Sequence, residues 1–298
     1  MDKNSKTGAF RALDVLLILM MILPVIAGMA LKVLFTPESQ GIEIKGALIY
    51  TSIAAPVQDL LITEAQVNSW LVMISITGLC LFLTHGIRAK VPTKRQYIAE
   101  WIVEKCEGLI KGNMHEYFKG FAPFIAAMLG LSAFSSLLSL TGLFAPTSDL
   151  NVVAGWAILV FFLITYYKMK AGPAVYAKSF GEPVKFLAPL NIISEFATPV
   201  SMAFRHYGNI LSGSVISVLI AAGLQGLTSL VMGRLPGFLG EFPFFRIGIP
   251  AVLSIYFDVF SGLLQAYIFS MLTMLYVSGG FPADEYFKHK KFGKKEKA

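Results

Sequence analysis

The sequence predicts an all-α polytopic membrane protein: about six membrane helices, one of them unusually long, plus an amphipathic helix at the membrane surface. Three observations lead there. Of 298 residues, 55% are hydrophobic and only 14% are charged, whereas a soluble domain carries about a quarter charged residues. The apolar residues are gathered into runs near the roughly 20 residues that a helix needs to cross a bilayer, and mean hydropathy is +0.66. Finally, the 25 Lys and Arg fall almost entirely in alternate connections between those runs, which is the bias that orients membrane helices.

The first run extends from about Val15 to Phe35, behind Lys3, Lys6 and Arg11. A basic start followed by an apolar run fits a signal peptide, with "AGMA" as a cleavage region, or an uncleaved anchor. The run exceeds the usual signal length, which favours an anchor helix. A polar connector, Gly41 to Gln66, leads to a second span from about Val67 to His85. In "YIAEWIVEKCEGLIKG", Ile98, Trp101, Ile102 and Leu109 recur at helical spacing with charges between them, so this helix is expected to lie in the interface.

A third span covers about Phe121 to Phe144 and stops at "APTSDLN"; a fourth runs from about Val152 to Tyr167 and is closed by "KMK". After a connector with Gly172, Pro173 and Lys185, the longest element runs from about Pro189 to Leu224. That exceeds one perpendicular crossing, so a strong tilt or bend is expected. A Gly/Pro-rich loop precedes the last span, about Ala251 to Ser278, and a basic tail ends the chain. Three regions follow: an anchor helix and outer connector (1–66), a membrane domain (67–280) and a basic cytoplasmic tail (281–298). With the N-terminus in the cytoplasm and Arg205 set aside, twenty Lys and Arg fall inside and four (Lys32, Lys45, Arg234, Arg246) outside. Both termini are therefore expected to be cytoplasmic.

Arg205 stands in the middle of the longest apolar element. A charge at mid-bilayer costs roughly 2.5–3.5 kcal/mol on insertion scales, and such residues usually face a pathway or a partner. Ser194, Thr198, Ser201, Asn209 and Ser212 recur three or four residues apart and form one polar stripe around it. Asp258 and Gln265, seven apart, are expected on one face of the last span. Ser148, Asp149 and Asn151 close the outer end of the third and fourth spans, and Glu195 begins the long helix on the inner side. Two polar half-paths separated by a fixed positive charge are the natural reading, with an Arg satisfied by backbone carbonyls in a packed bundle as the plainer one.

These residues resemble subunit a of the F-type ATP synthases. The resemblance rests on "LNIISEFATPVSMAFRHYGNI" (190–210), "LLQAYIFSMLTMLYVS" (263–278) and "APTSDLN", in the family's order, and covers about Val67 to Gly280. It implies an ion-translocating stator subunit of the membrane Fo sector, whose long tilted helix pair faces a ring of c subunits. Residue by residue, it makes Arg205 the essential arginine facing that ring, with Asn209 and Gln265 beside it. It puts Ser148, Asp149, Asn151 and Asp258 on the outer path and Glu195 on the inner one. Ser214 occupies a place where many members carry an ionisable group, Asp258 one that is often His or Glu, and His206-Tyr207 replace the usual Leu-Phe. Implied partners are the c-ring, the peripheral-stalk b subunits, the lipid membrane and the translocated ion, H+ or Na+, the choice between them left open. The implied location is a bacterial inner membrane.

The competing class is a stand-alone secondary transporter with Arg205 binding an anionic substrate, but no internal repeat of the kind such folds carry is visible. An intramembrane enzyme would need a His-Glu-x-x-His or Gly-x-Ser-x-Gly site. His85, His115, His206 and His289 are scattered, and no nucleotide-binding loop is present. No cofactor and no nucleic-acid partner are expected, and Cys80 and Cys106 have no metal-ligand spacing.

Overall fold

The computed structural model describes residues 3–36, 46–56, 59–87, 93–114, 116–181, 184–232, 248, 252–253, 255–283 and 286. The tail from Phe287 onward and the loop 233–247 lie outside the described residues, so the tail lysines, Arg234 and Arg246 counted for orientation lie outside as well. The same holds for Lys45, Arg88, Lys90, His115 and His289.

Helix α1 (Lys3–Phe35) packs along α2 (Glu64–Thr84), and six helices among the described residues are long and apolar enough to cross a membrane. The connector between the two is not wholly irregular: strands β1 (Ile49–Ile53) and β2 (Leu60–Thr63) pair antiparallel, Ile53 opposite Leu60. Five and four residues, mostly exposed, carry too little alternation for this hairpin to be legible in sequence.

Helix α3 (Lys94–Asn113) opens on an N-cap, with the Thr93 hydroxyl accepting from the Gln96 N–H at 3.3 Å. Tyr97, Ile98, Trp101 and Ile102 are exposed, while Cys106 and Ile110 turn into the bundle. The apolar stripe is thus left for the bilayer interface, as amphipathicity predicts.

The third span combines a 3-10 turn (Glu116–Phe121), α4 (Ala122–Leu137) and a second 3-10 turn (Leu138–Thr141) that ends on Gly142. Gly142 takes φ +79°, a left-handed cap that residues with a Cβ rarely adopt. Helix α5 (Leu150–Lys168) returns through the membrane, and the short α6 (Pro173–Ser179) breaks the next connection.

Helix α7 (Ala188–Met232) is 45 residues long and runs through Pro199. At ~1.5 Å per residue that is ~68 Å of helix, more than twice a hydrocarbon core of about 30 Å. The last span opens with a π-helical turn (Ile255–Ser261) and continues as α8 (Gly262–Gly279). Gly262 permits that entrance to the bundle: a Cβ there would lie 2.6 Å from Ser136 Cβ of α4. The main core joins α3, α4, α5, α7 and α8 through Ile110, Phe121, Ile125, Val160, Met202 and Phe269.

Candidate ion-translocation site

Helix α7 carries two kinds of side chain. His206 is fully buried, held edge-on against Phe269 of α8 and Trp156 of α5 (ring centroids 5.5 and 6.1 Å), with Nε2 3.4 Å from Ser132 Oγ of α4. A successive residue on a helix is turned about 100°, so burying His206 directs its neighbour outward. Arg205 is exposed, in one line with exposed Ser194, Ser201, Asn209 and Ser212 and half-buried Thr198. Among the described residues, Arg205 has no ion pair or hydrogen-bond partner. One turn along, Asn209 Nδ2 donates to Gln265 Oε1 at 2.8 Å, tying α7 to α8.

Two cavities open on either side of Arg205 along the chain of α7. The larger, about 680 Å³, meets α7 from Tyr207 to Val218 and is lined by Lys32, Ser139, Ser148, Asp149, Ser214 and Asp258, among others. The other, about 240 Å³, meets α7 at Glu195 and Thr198 and is closed by Lys168 and Tyr276. Arg205 lines neither.

Asp149 has two duties, since its carboxylate also caps α5 by accepting the Asn151 N–H at 2.9 Å. Asn151 contributes that backbone donor, but its exposed side chain is not part of the cavity wall. The Ser214 hydroxyl donates to the Leu211 carbonyl at 2.8 Å, so its polar atom is partly spent on its own helix. Asp258 sits in the π turn, where the angular step differs from that of an α-helix; seven residues to Gln265 are not two clean turns. The two groups accordingly do different things: Asp258 lines the larger cavity, and Gln265, buried, bonds Asn209. Glu195 forms an ion pair with Lys168, and Tyr176 Oη lies 3.5 Å from its other oxygen. The Tyr176 hydroxyl is pushed up by burial and by the Glu195 charge.

Lys32, Lys168, Ser139 and Tyr207 are cavity residues that the sequence did not single out as such. Only Tyr207 carried a signal, its departure from Leu-Phe beside Arg205.

Residues 66–278 match the family described as ATP synthase A chain. The chain belongs to the ATP synthase subunit a family. It is 30% identical to ATP synthase subunit a of Legionella pneumophila (strain Philadelphia 1) over 226 residues, covering 75% of this chain and 89% of the relative. It is 33% identical to the subunit a of Listeria welshimeri and 32% identical to that of Bacillus pumilus, over 225 residues each. Those matches cover 70% and 69% of this chain, and 89% and 88% of the relatives. As a subunit a family member with six helices, among the described residues, long and apolar enough to cross a membrane, it is a multi-pass membrane protein of the ATP synthase Fo sector, engaged in ATP synthesis and ion transport.

Proposed function

We propose that this chain provides the two aqueous half-channels of Fo and, between them, the positive charge that couples ion flow to c-ring rotation. One observation carries the reading: Arg205 is exposed and unpaired among the described residues, and on α7 it stands between the residues that line the two cavities. A bare guanidinium facing lipid is costly, so its place calls for an anionic partner outside the chain.

A ring carboxylate is such a partner. Ions come from outside through the larger cavity by way of Ser148, Asp149 and Asp258, and neutralise a carboxylate on a c subunit. The ring turns through lipid with that group uncharged. On its return the carboxyl meets Arg205 and releases its ion into the smaller cavity at Glu195. A guanidinium about 4 Å from a carboxylate, at an effective dielectric of ~20, contributes roughly 4 kcal/mol, which moves the carboxyl's protonation equilibrium about a thousandfold. Arg holds its charge when desolvated, where Lys would lose it more readily. Each charge crossing supplies about 2.3 kcal/mol per 100 mV.

The b subunits of the peripheral stalk and a cytoplasmic position for both termini, in a bacterial inner membrane, complete the arrangement; the orientation rests on the Lys/Arg bias. The test is ATP-driven ion pumping in vesicles with Arg205→Ala in the assembled complex. Pumping is expected to vanish with the complex intact. Pumping at the wild-type rate would overturn the reading.

A further inference from the structure

The loop from Gly142 to Asp149 brings Ser148 and Asp149 to the larger cavity, yet its only regular turn is Pro146–Ser148. Such a backbone must find its hydrogen-bond partners piecemeal: the Gly142, Ser148 and Asp149 N–H groups bond to carbonyls three residues back, while the Gly142 carbonyl and both backbone groups of Phe144 are met by the helices α1 and α2. Lys32 Nζ donates to the Gly142 carbonyl at 2.7 Å and lies 3.3 Å from Glu64 Oε1. That same Glu64 oxygen accepts the Phe144 N–H at 3.2 Å, and Asn68 Nδ2 donates to the Phe144 carbonyl at 2.8 Å. Glu64 and Asn68 are 1% and 0% exposed. Lys32 is also part of the cavity wall.

The depth of Lys32 is fixed from the far end of its helix. Asp14 accepts two bonds from Arg95, at 2.7 and 2.8 Å, and lies 3.0 Å from His85 Nδ1, while Phe10 stacks on His85 at 4.1 Å. Helix α1 is therefore clamped at both ends. Both Lys32 and Glu64 precede the family-matched residues 66–278, so the match itself assigns them nothing.

We propose that α1 braces the outer ion path: Lys32, through its pairing with Glu64, is a positioning residue that holds the Gly142–Asp149 loop with Ser148 and Asp149 at the cavity. This rests on the half-channel reading above. Lys32 touches the loop, and its charge is balanced by Glu64, so it holds the wall without repelling incoming cations.

The experiment uses the assembled complex in vesicles, with Cys80 and Cys106 replaced by Ser. A thiol introduced by Ser148→Cys reports the loop, and one introduced by Ser139→Cys reports the cavity outside it. Both are labelled from the outer side with a membrane-impermeant methanethiosulfonate. With Lys32→Met, the labelling rate at 148 is expected to change by at least about fivefold, the effect of roughly 1 kcal/mol, while the rate at 139 holds. Pumping falls in the Lys32→Met complex without the added thiols, and Lys32→Arg restores both readouts. An unchanged rate at 148 overturns the proposal. Should Lys32→Met not assemble, Glu64→Gln, which keeps an acceptor for Phe144 and removes the charge opposite Lys32, is expected to change the rate at 148 likewise; no change there also overturns it. Asp258→Asn, run in parallel, separates the two readings. If it pumps normally the half-channel reading fails, while the labelling at 148 still decides the brace.

Discussion

Asn209 and Gln265 join the two long helices of the site directly, Nδ2 to Oε1 at 2.8 Å, one turn beyond Arg205. Gln265 is buried, so losing Asn209 leaves its amide oxygen without its partner in the bundle. The bond sets the phase of α7 against α8 where the ring would pass. Asn209→Leu and Gln265→Leu are each expected to destabilise the assembled complex. Their double-mutant cycle should show a coupling of about 0.6 kcal/mol, and at most about 1.7, the range for hydrogen bonds between membrane helices. Thermal dissociation of the four complexes gives that coupling, and strict additivity would contradict it.

His206 tests whether a histidine beside the arginine relays protons. Its Nε2 contact is long at 3.4 Å, its Nδ1 has no hydrogen-bond partner among the described residues, and two aromatic rings lie edge-on to it. Removing a poorly satisfied buried polar group costs little. His206→Leu is expected to assemble and to pump with an unaltered pH profile. A profile displaced by the substitution would make His206 part of the path.

Gly262 and Gly130 give a matched pair. A Cβ at 262 would meet Ser136 Cβ at 2.6 Å, whereas one at 130 meets nothing within 4 Å. Gly262→Ala is expected to destabilise α8 packing by about 1–3 kcal/mol, as overpacking does. Gly130→Ala is expected to be neutral or to stabilise α4, Ala being favoured over Gly by up to about 1 kcal/mol. The fraction of complex surviving a heat step ranks the two, and equal survival would contradict the close approach.

Cys106 turns into the bundle from α3, and burial pushes its thiol up. A raised pKa lowers the thiolate fraction at neutral pH, and the thiolate is the reactive form. Maleimide labelling of Cys106 in the native complex is expected to be at least about tenfold slower than after denaturation, the factor that roughly 1.4 kcal/mol of protection gives. Mass spectrometry of the labelled peptide checks it; equal rates would put Cys106 at the surface.

The span pattern, the long helix and the polar stripe around Arg205 were legible because each is a local property, a run length or a three-to-four-residue spacing. Asn209 was legible in that stripe, whereas Gln265 was set beside it by the family resemblance and not by spacing. Lys32 and Lys168 were read only as orientation charges. Their roles depend on contacts with Gly142 and Glu195, 110 and 27 residues away, which no periodicity records. Asp258 was placed with Gln265 by counting α-helical turns, and the π turn changes that count. Asn151 belonged to a motif whose working atom here is a backbone N–H.

Whether Arg205 separates two ion paths can be measured as passive ion flux through Fo with the ring cross-linked to this chain so that it cannot turn. The membrane is expected to be tight to ions with Arg205 present and to leak under the membrane potential with Arg205→Ala, because the two paths then join through a ring carboxylate. A membrane that stays equally tight in the Arg205→Ala complex would contradict that separation.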